Sequence, residues 1–137
     1  SIEAFINFIG DTFSKGGTLD KIEVAFLNDK NLEIPPSTAS IEKKIRYYSI
    51  DSKLKFIINK FQVNIIPGTS QVWSFFIEFK EFRDSLIHPR TTDDNIDLED
   101  YKNKIKKGLN SNIDIMNEIS NKIFKRPLRK SLVDLKL

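Results

Sequence analysis

Apolar residues recur at helical spacing through most of the chain. Ile2, Phe5, Ile6, Ile9 and Phe13 fall on one side of a helix that turns about 100° per residue, and Gly16-Gly17 stops it. Thr18 is placed to cap a second helix with Asp20 in its first turn and Ile22, Ala25 and Phe26 inside. Residues 31–40, with Pro35-Pro36, read as a loop. Ser37, Thr38 or Ser40 then opens a long helix in which Ile41 and Ile45 lead to Ile50, Leu54, Ile57, Ile58, Phe61 and Ile65, ended by Pro67-Gly68. Thr69 or Ser70 caps a fourth helix whose inner arc is Val72, Phe75, Phe76, Phe79, Phe82 and Leu86. Pro89 stops it, because the residue before a proline is pushed out of helical geometry. After an acidic connection, Asp97 opens the last long helix, with Leu98, Tyr101, Ile105, Leu109, Met116, Ile119 and Ile123 inside. Pro127 closes it and leaves a basic tail over 127–137, either mobile or one short helical turn.

No segment alternates as a strand does, and no repeat is visible. The expected fold is all-α: one domain over 1–137, an antiparallel bundle of four to five helices joined by short connections. The fourth helix carries more apolar surface than one neighbour can cover, Trp73 lying outside its main arc, and this predicts burial in a dimer as well as in the core.

Composition narrows the chemistry. The absence of cysteine removes disulfides, thiol catalysis and zinc fingers, and one histidine excludes a histidine-rich metal site within a single chain. No metal or cofactor is expected. No apolar run approaches the ~20 residues that span a bilayer and no signal pattern opens the chain, so a cytoplasmic protein without membrane contact is expected. A net charge of +3 tilts weakly toward polyanions. Its distribution says more: acids gather at Asp93, Asp94, Asp97, Glu99 and Asp100, and cations at Lys122, Lys125, Arg126, Arg129 and Lys130.

The histidine ends the run Arg83-Asp84-Ser85-Leu86-Ile87-His88, directly before Pro89. Arg83 projects into the apolar arc, where a guanidinium needs either a carboxylate or an anion, because an unpaired buried charge is costly. An imidazole suits proton transfer at neutral pH, which makes His88 a candidate acid or base. On an ideal helix Arg83 and His88 stand about 140° apart, so unwinding before Pro89 or a second subunit would have to bring them together. The plain alternative is a surface salt bridge between Arg83 and Asp84 beside a histidine that merely ends a helix.

This hexapeptide resembles the signature of the HEPN superfamily: an arginine, a polar residue, and a histidine four to six positions after the arginine. The expected helical architecture is similar too. The resemblance implies an endoribonuclease that needs no metal, works as a homodimer, and belongs to a toxin or antiphage defence system with an antitoxin or effector partner. His88 would take the proton of a ribose 2′-hydroxyl, and Arg83 would hold the phosphate and its developing charge. Asp84 would orient His88 or hold Arg83. The products would be a 2′,3′-cyclic phosphate and a 5′-hydroxyl, and DNA would resist.

One subgroup of the family carries a modifiable tyrosine two positions after the histidine. Arg90 stands there in this chain, so that control is not expected, and Arg90 is instead a candidate phosphate contact. Lys122, Lys125, Arg126, Arg129 and Lys130 are candidate RNA contacts in a patch beside the catalytic residues, although cations also complement the negative end of a helix. The rival expectation is a non-catalytic HEPN-like dimer that binds RNA, nucleotide or a protein. A purely structural dimerisation module is a third.

Overall fold

A computed structural model describes residues 1–30, 47–88 and 97–137. Among them are six helices and no strand: α1 (Ile2–Lys15), α2 (Lys21–Asn28), α3 (Ile50–Phe61), α4 (Gln71–Ile87), α5 (Leu98–Phe124) and α6 (Lys130–Val133). The expected all-α class is observed. The expected loop over 31–40, the helix start at 37–40, Pro89 and the connection 91–96 lie outside the described residues. The chain divides into two compact units, Ser1–Ile57 and Ile58–Leu137.

In the first unit, α1 runs between a Ser1 cap and Gly16, as its spacing predicts. The cap of α2 is Asp20 rather than Thr18. The Glu23 amide donates to the Asp20 carboxylate at 2.8 Å and the Asp20 amide donates to Glu23 at 2.9 Å, so two orphan donors are satisfied reciprocally. Ile22 is exposed, and Leu19 and Leu27 are the buried residues of this stretch. Where α2 meets α1, the Asn28 carboxamide fills the space a side chain at Gly10 would need, and Asn28 Nδ2 donates to Asp11 at 2.7 Å. Asp29 ends α2 in the left-handed region, φ 51°, and receives the Lys53 ammonium at 2.5 Å. The Lys53 side chain is only 8% exposed, so this bond keeps a near-buried charge from standing unpaired.

Helix α3 is shorter than its isoleucine pattern predicts. Tyr47 and Tyr48, expected on it, precede it without helical structure. Tyr48 and Phe56 pack on Phe26, with ring centroids 4.5 and 5.4 Å away. At its other end Gln62 turns left-handed, φ 53°, and the Gln62 and Val63 amides donate to Asn59 and Ile58. This is a Schellman closure with its usual apolar pair, here Ile58 and Val63, both buried. Val63 and Ile65 therefore reach the core from an irregular segment, not from a helical face.

The second unit is built on the α4–α5 hairpin. Phe82 meets Tyr101 with centroids 4.9 Å apart, Phe79 lies on Gly108, and Lys107 reaches over Phe75 at 5.4 Å, so the two helices run antiparallel. The deepest residues of α4 are Trp73 and Phe76. Trp73 is core, 4% exposed, and so does not supply the uncovered surface that its position outside the arc predicts. The inner face of α5 also differs from its apolar spacing. Leu98, Ile105 and Leu109 are exposed, while Gly108, Ser111, Ile115, Ile119 and Ser120 are buried. Small residues are inside because the α4 rings need room. The Phe79 ring occupies the place of a Gly108 side chain, which is why a helix interior tolerates a glycine costing about 1 kcal/mol in propensity.

Beyond Lys125 the basic tail turns back along α5. Ser120 donates to the Arg126 carbonyl at 2.9 Å, and Asn117 accepts from the Leu128 amide at 2.9 Å. Asp114 pairs with Lys136, and Asn110 exchanges two bonds with the Leu137 backbone at 2.9 and 3.0 Å. These four α5 positions recur every three or four residues, so they form one polar stripe that holds the tail. Of the two expected states for 127–137, the short helical turn is observed as α6.

Gly108→Ala is expected to force the Phe79 ring out of the seam and lower unfolding free energy by about 1–3 kcal/mol in a denaturant titration. A gain of about 1 kcal/mol, as glycine to alanine gives in an open helix, would show that the ring does not need this space.

Candidate functional site

The hexapeptide occupies the last turn of α4 and its cap. Serine at 70, the N-cap position, and the aromatic rings between carry the helix in, and its last covered ring is Phe82, half-buried against Tyr101. From Arg83 to His88 every residue is exposed. Arg83 is thus not among the phenylalanines as its projection predicts. A helical projection gives direction, and nothing described covers this direction beyond Phe82. The guanidinium finds its carboxylate next door: Arg83 Nη2 and Nε lie 3.2 and 3.4 Å from Asp84 Oδ1. Both side chains are about half exposed, so the pair contributes little to stability.

The Asp84 carboxylate thus bonds the Arg83 guanidinium and makes no bond to the His88 imidazole. His88 leaves the helix, with φ −121° and ψ 70°, while its amide still donates to the Asp84 carbonyl at 3.0 Å. The imidazole makes no hydrogen bond or ion pair among the described residues. Ser85 folds back on the Phe82 carbonyl at 2.6 Å. Around these groups Leu86, Ile87 and Leu98 are 55%, 60% and 71% exposed, an apolar border to a charged site.

Aromatic seam residues extend from this end. Lys104 lies 5.9 Å from the Phe82 ring centre and 2.8 Å from Asp100, whose hydrogen bond and charge raise the Lys104 pKa. Neither Lys104 nor Lys107 stands out from the sequence as a site residue, because the cation and its ring belong to different helices.

The other candidate contacts fall elsewhere. Arg90 lies outside the described residues. Lys122, Lys125, Arg126, Arg129 and Lys130 are all exposed, and none has a carboxylate partner among the described residues. They are not beside Arg83. Phe82 contacts Tyr101, and Lys122 stands twenty-one residues farther along α5, about 30 Å at the helical rise of 1.5 Å per residue. Within one chain the basic cluster and the hexapeptide occupy opposite ends of the hairpin. The sequence brings both to helix C-termini but does not say that these termini point apart.

No protein-family model matches the chain, and no curated protein or solved structure matches it. No helix among the described residues is long and apolar enough to cross a membrane.

Reversing Lys125, Arg126 and Arg129 to glutamate is expected to leave the melting temperature within a few degrees, since no ion pair is broken. It should weaken RNA binding and flatten its dependence on salt, by about one unit of log–log slope per lost phosphate contact. An unchanged slope would remove these residues from any RNA interface.

Proposed function

We propose that the chain is an HEPN-type endoribonuclease, with Arg83 and His88 acting on one phosphodiester. The observation that carries this is the solvent-open group at the end of α4: a guanidinium held by Asp84 and, one turn on, an exposed imidazole at the helix cap with no hydrogen-bond partner among the described residues. A neutral His88 accepts the 2′-hydroxyl proton as that oxygen attacks phosphorus. Arg83 places its remaining N–H donors on the phosphate oxygens, where negative charge grows. The proton then goes to the departing 5′-oxygen, which leaves a 2′,3′-cyclic phosphate and a 5′-hydroxyl.

The bare apolar border supports a homodimeric form. Leu86, Ile87 and Leu98 flank the charged group, and covering them with a second copy would exclude water from the two sites. In a dimer of this kind the partner's cationic end could also supply the backbone contacts that lie 30 Å away in the same chain. A toxin or defence role, with an antitoxin or effector partner, is part of the same proposal.

The Arg83–Asp84 pair favours one second reading, a non-catalytic module. A guanidinium already neutralised at the surface serves structure as well as it serves a phosphate. The two readings separate in one assay, labelled RNA with excess chelator. Wild type should cleave RNA and spare DNA, and His88→Ala and Arg83→Ala should each lose at least about 100-fold in rate while keeping the native fold. Cleavage that survives both substitutions would sink the assignment, and a folded wild type inert toward every RNA tested would favour the binding module.

A further inference from the structure

The basic tail is fixed to α5 by its backbone, and its leucines are left in water. Asn117 accepts from the Leu128 amide, Ser120 donates to the Arg126 carbonyl, and Asn110 bonds both backbone groups of Leu137. Among the described residues, charge adds one side-chain contact between tail and helix, Lys136 on Asp114. Leu132, Leu135 and Leu137 are 42%, 61% and 62% exposed, and no residue after Ser120 is buried. A segment docked only for stability would turn its leucines to the protein, because apolar burial is the main gain of docking.

The leucines stand among unneutralised cations. The Leu132 amide donates to the Arg129 carbonyl at 2.9 Å and the Leu135 amide to the Leu132 carbonyl at 3.3 Å. Successive bonds of this three-residue spacing stack Arg129, Leu132 and Leu135 in one row. Lys125, Arg126 and Lys130, in the same short segment, are exposed and have no carboxylate partner among the described residues. From Lys125 to Leu137 five cations outnumber one acid, Asp134. The segment has no aromatic ring on which a nucleic-acid base could stack, and a phosphate backbone makes no use of its leucines. A lipid surface uses both features together. Its anionic headgroups meet the cations and its acyl boundary takes the leucines, with no pocket or matching shape required.

We propose that residues 125–137 form a peripheral docking surface for an anionic phospholipid bilayer, with Lys125, Arg126, Arg129 and Lys130 on the headgroups and Leu132 and Leu135 entering the acyl boundary. The bonds from α5 preorganise the segment, so little backbone freedom is lost on contact. The expectation of no membrane contact rested on the lack of a spanning run and of a signal pattern, and lying on a bilayer needs neither. The proposal does not rest on the ribonuclease reading and uses none of Arg83, Asp84 and His88.

The test floats the full chain with vesicles of phosphatidylcholine, alone or with about 30% phosphatidylserine, at low salt and at about 1 M salt, where charges are screened within about 3 Å. Wild type should bind the anionic vesicles, bind the neutral ones at least about tenfold less, and come off at high salt. Leu132→Ser with Leu135→Ser should keep the melting temperature, since both side chains are exposed, and lower the partition at least about tenfold. Arg129→Ala with Lys130→Ala should lower it about fivefold for each cation lost. The proposal is overturned if the anionic vesicles do not bind wild type, if neutral vesicles bind it equally, or if the serine variant partitions as wild type does, which would leave adsorption by charge alone. A single-stranded RNA and an acidic helical peptide are carried in parallel. Binding of either one that the serine substitutions weaken, with the vesicles left unbound, would assign the leucines to that partner and overturn the proposal as well.

Discussion

The Phe79 ring lies where a side chain at position 108 would be, and the second unit depends on that contact. Two helices of which one is dense in phenylalanine approach closely only if the other gives up volume. Helix α5 does so at Gly108 and Ser111, whose hydroxyl bonds back to the Gly108 carbonyl at 2.8 Å. With the register fixed there, Phe82 must meet Tyr101 and Phe75 must lie under Lys107. The same register carries α4 one turn beyond its last covered ring, which is how Arg83, Asp84 and His88 come to face water.

That exposure decides what the hexapeptide can do within one chain. A guanidinium in water, bonded to its neighbour's carboxylate, has no stored desolvation to release on a phosphate. Its usefulness in catalysis would rise when something excludes solvent, because the charge of a transition state is worth more in a dry site. The apolar border of Leu86, Ile87 and Leu98 gives a covering partner surface to bury. The long α5 meanwhile carries Lys122, Lys125 and Arg126 to its far end, away from the hexapeptide.

Helix ends leave local signals in the sequence, and contacts between distant residues leave none. The limits of α1, the Asp97 cap and the stop of α4 at Ile87 follow from local signals, while Ser70 holds the N-cap position of α4 without a side-chain cap bond. The end of α3 does not, since the isoleucine period continues to Ile65 and no glycine marks the left-handed turn that Gln62 makes. On α5 hydrophobic spacing predicts the buried Ile119 but not Gly108 and Ser111, which are inside where the α4 rings need room. A glycine in the middle of a well-patterned helix was the one signal that could have revealed this. The tail was illegible for a different reason. Its hold on α5 consists of side chains bonding to backbone groups up to twenty-seven residues away, and no periodicity records them. For the candidate site, the residues Arg83, Asp84 and His88 were visible as a string, but burial and the direction of α5 are properties of the packed pair.

The register of the α4–α5 hairpin sets the separation of the hexapeptide from the basic end of α5, and a distance measures it. The chain has no cysteine, so Ser85→Cys and Lys122→Cys accept a pair of spin labels without background. With labelled chain diluted into unlabelled chain so that only pairs within one chain are read, a dipolar electron-resonance measurement should give a distribution centred at about 30–40 Å, the rise of α5 from the residues facing the end of α4 to Lys122. A distribution centred under about 20 Å would place the basic end beside the hexapeptide and contradict the account.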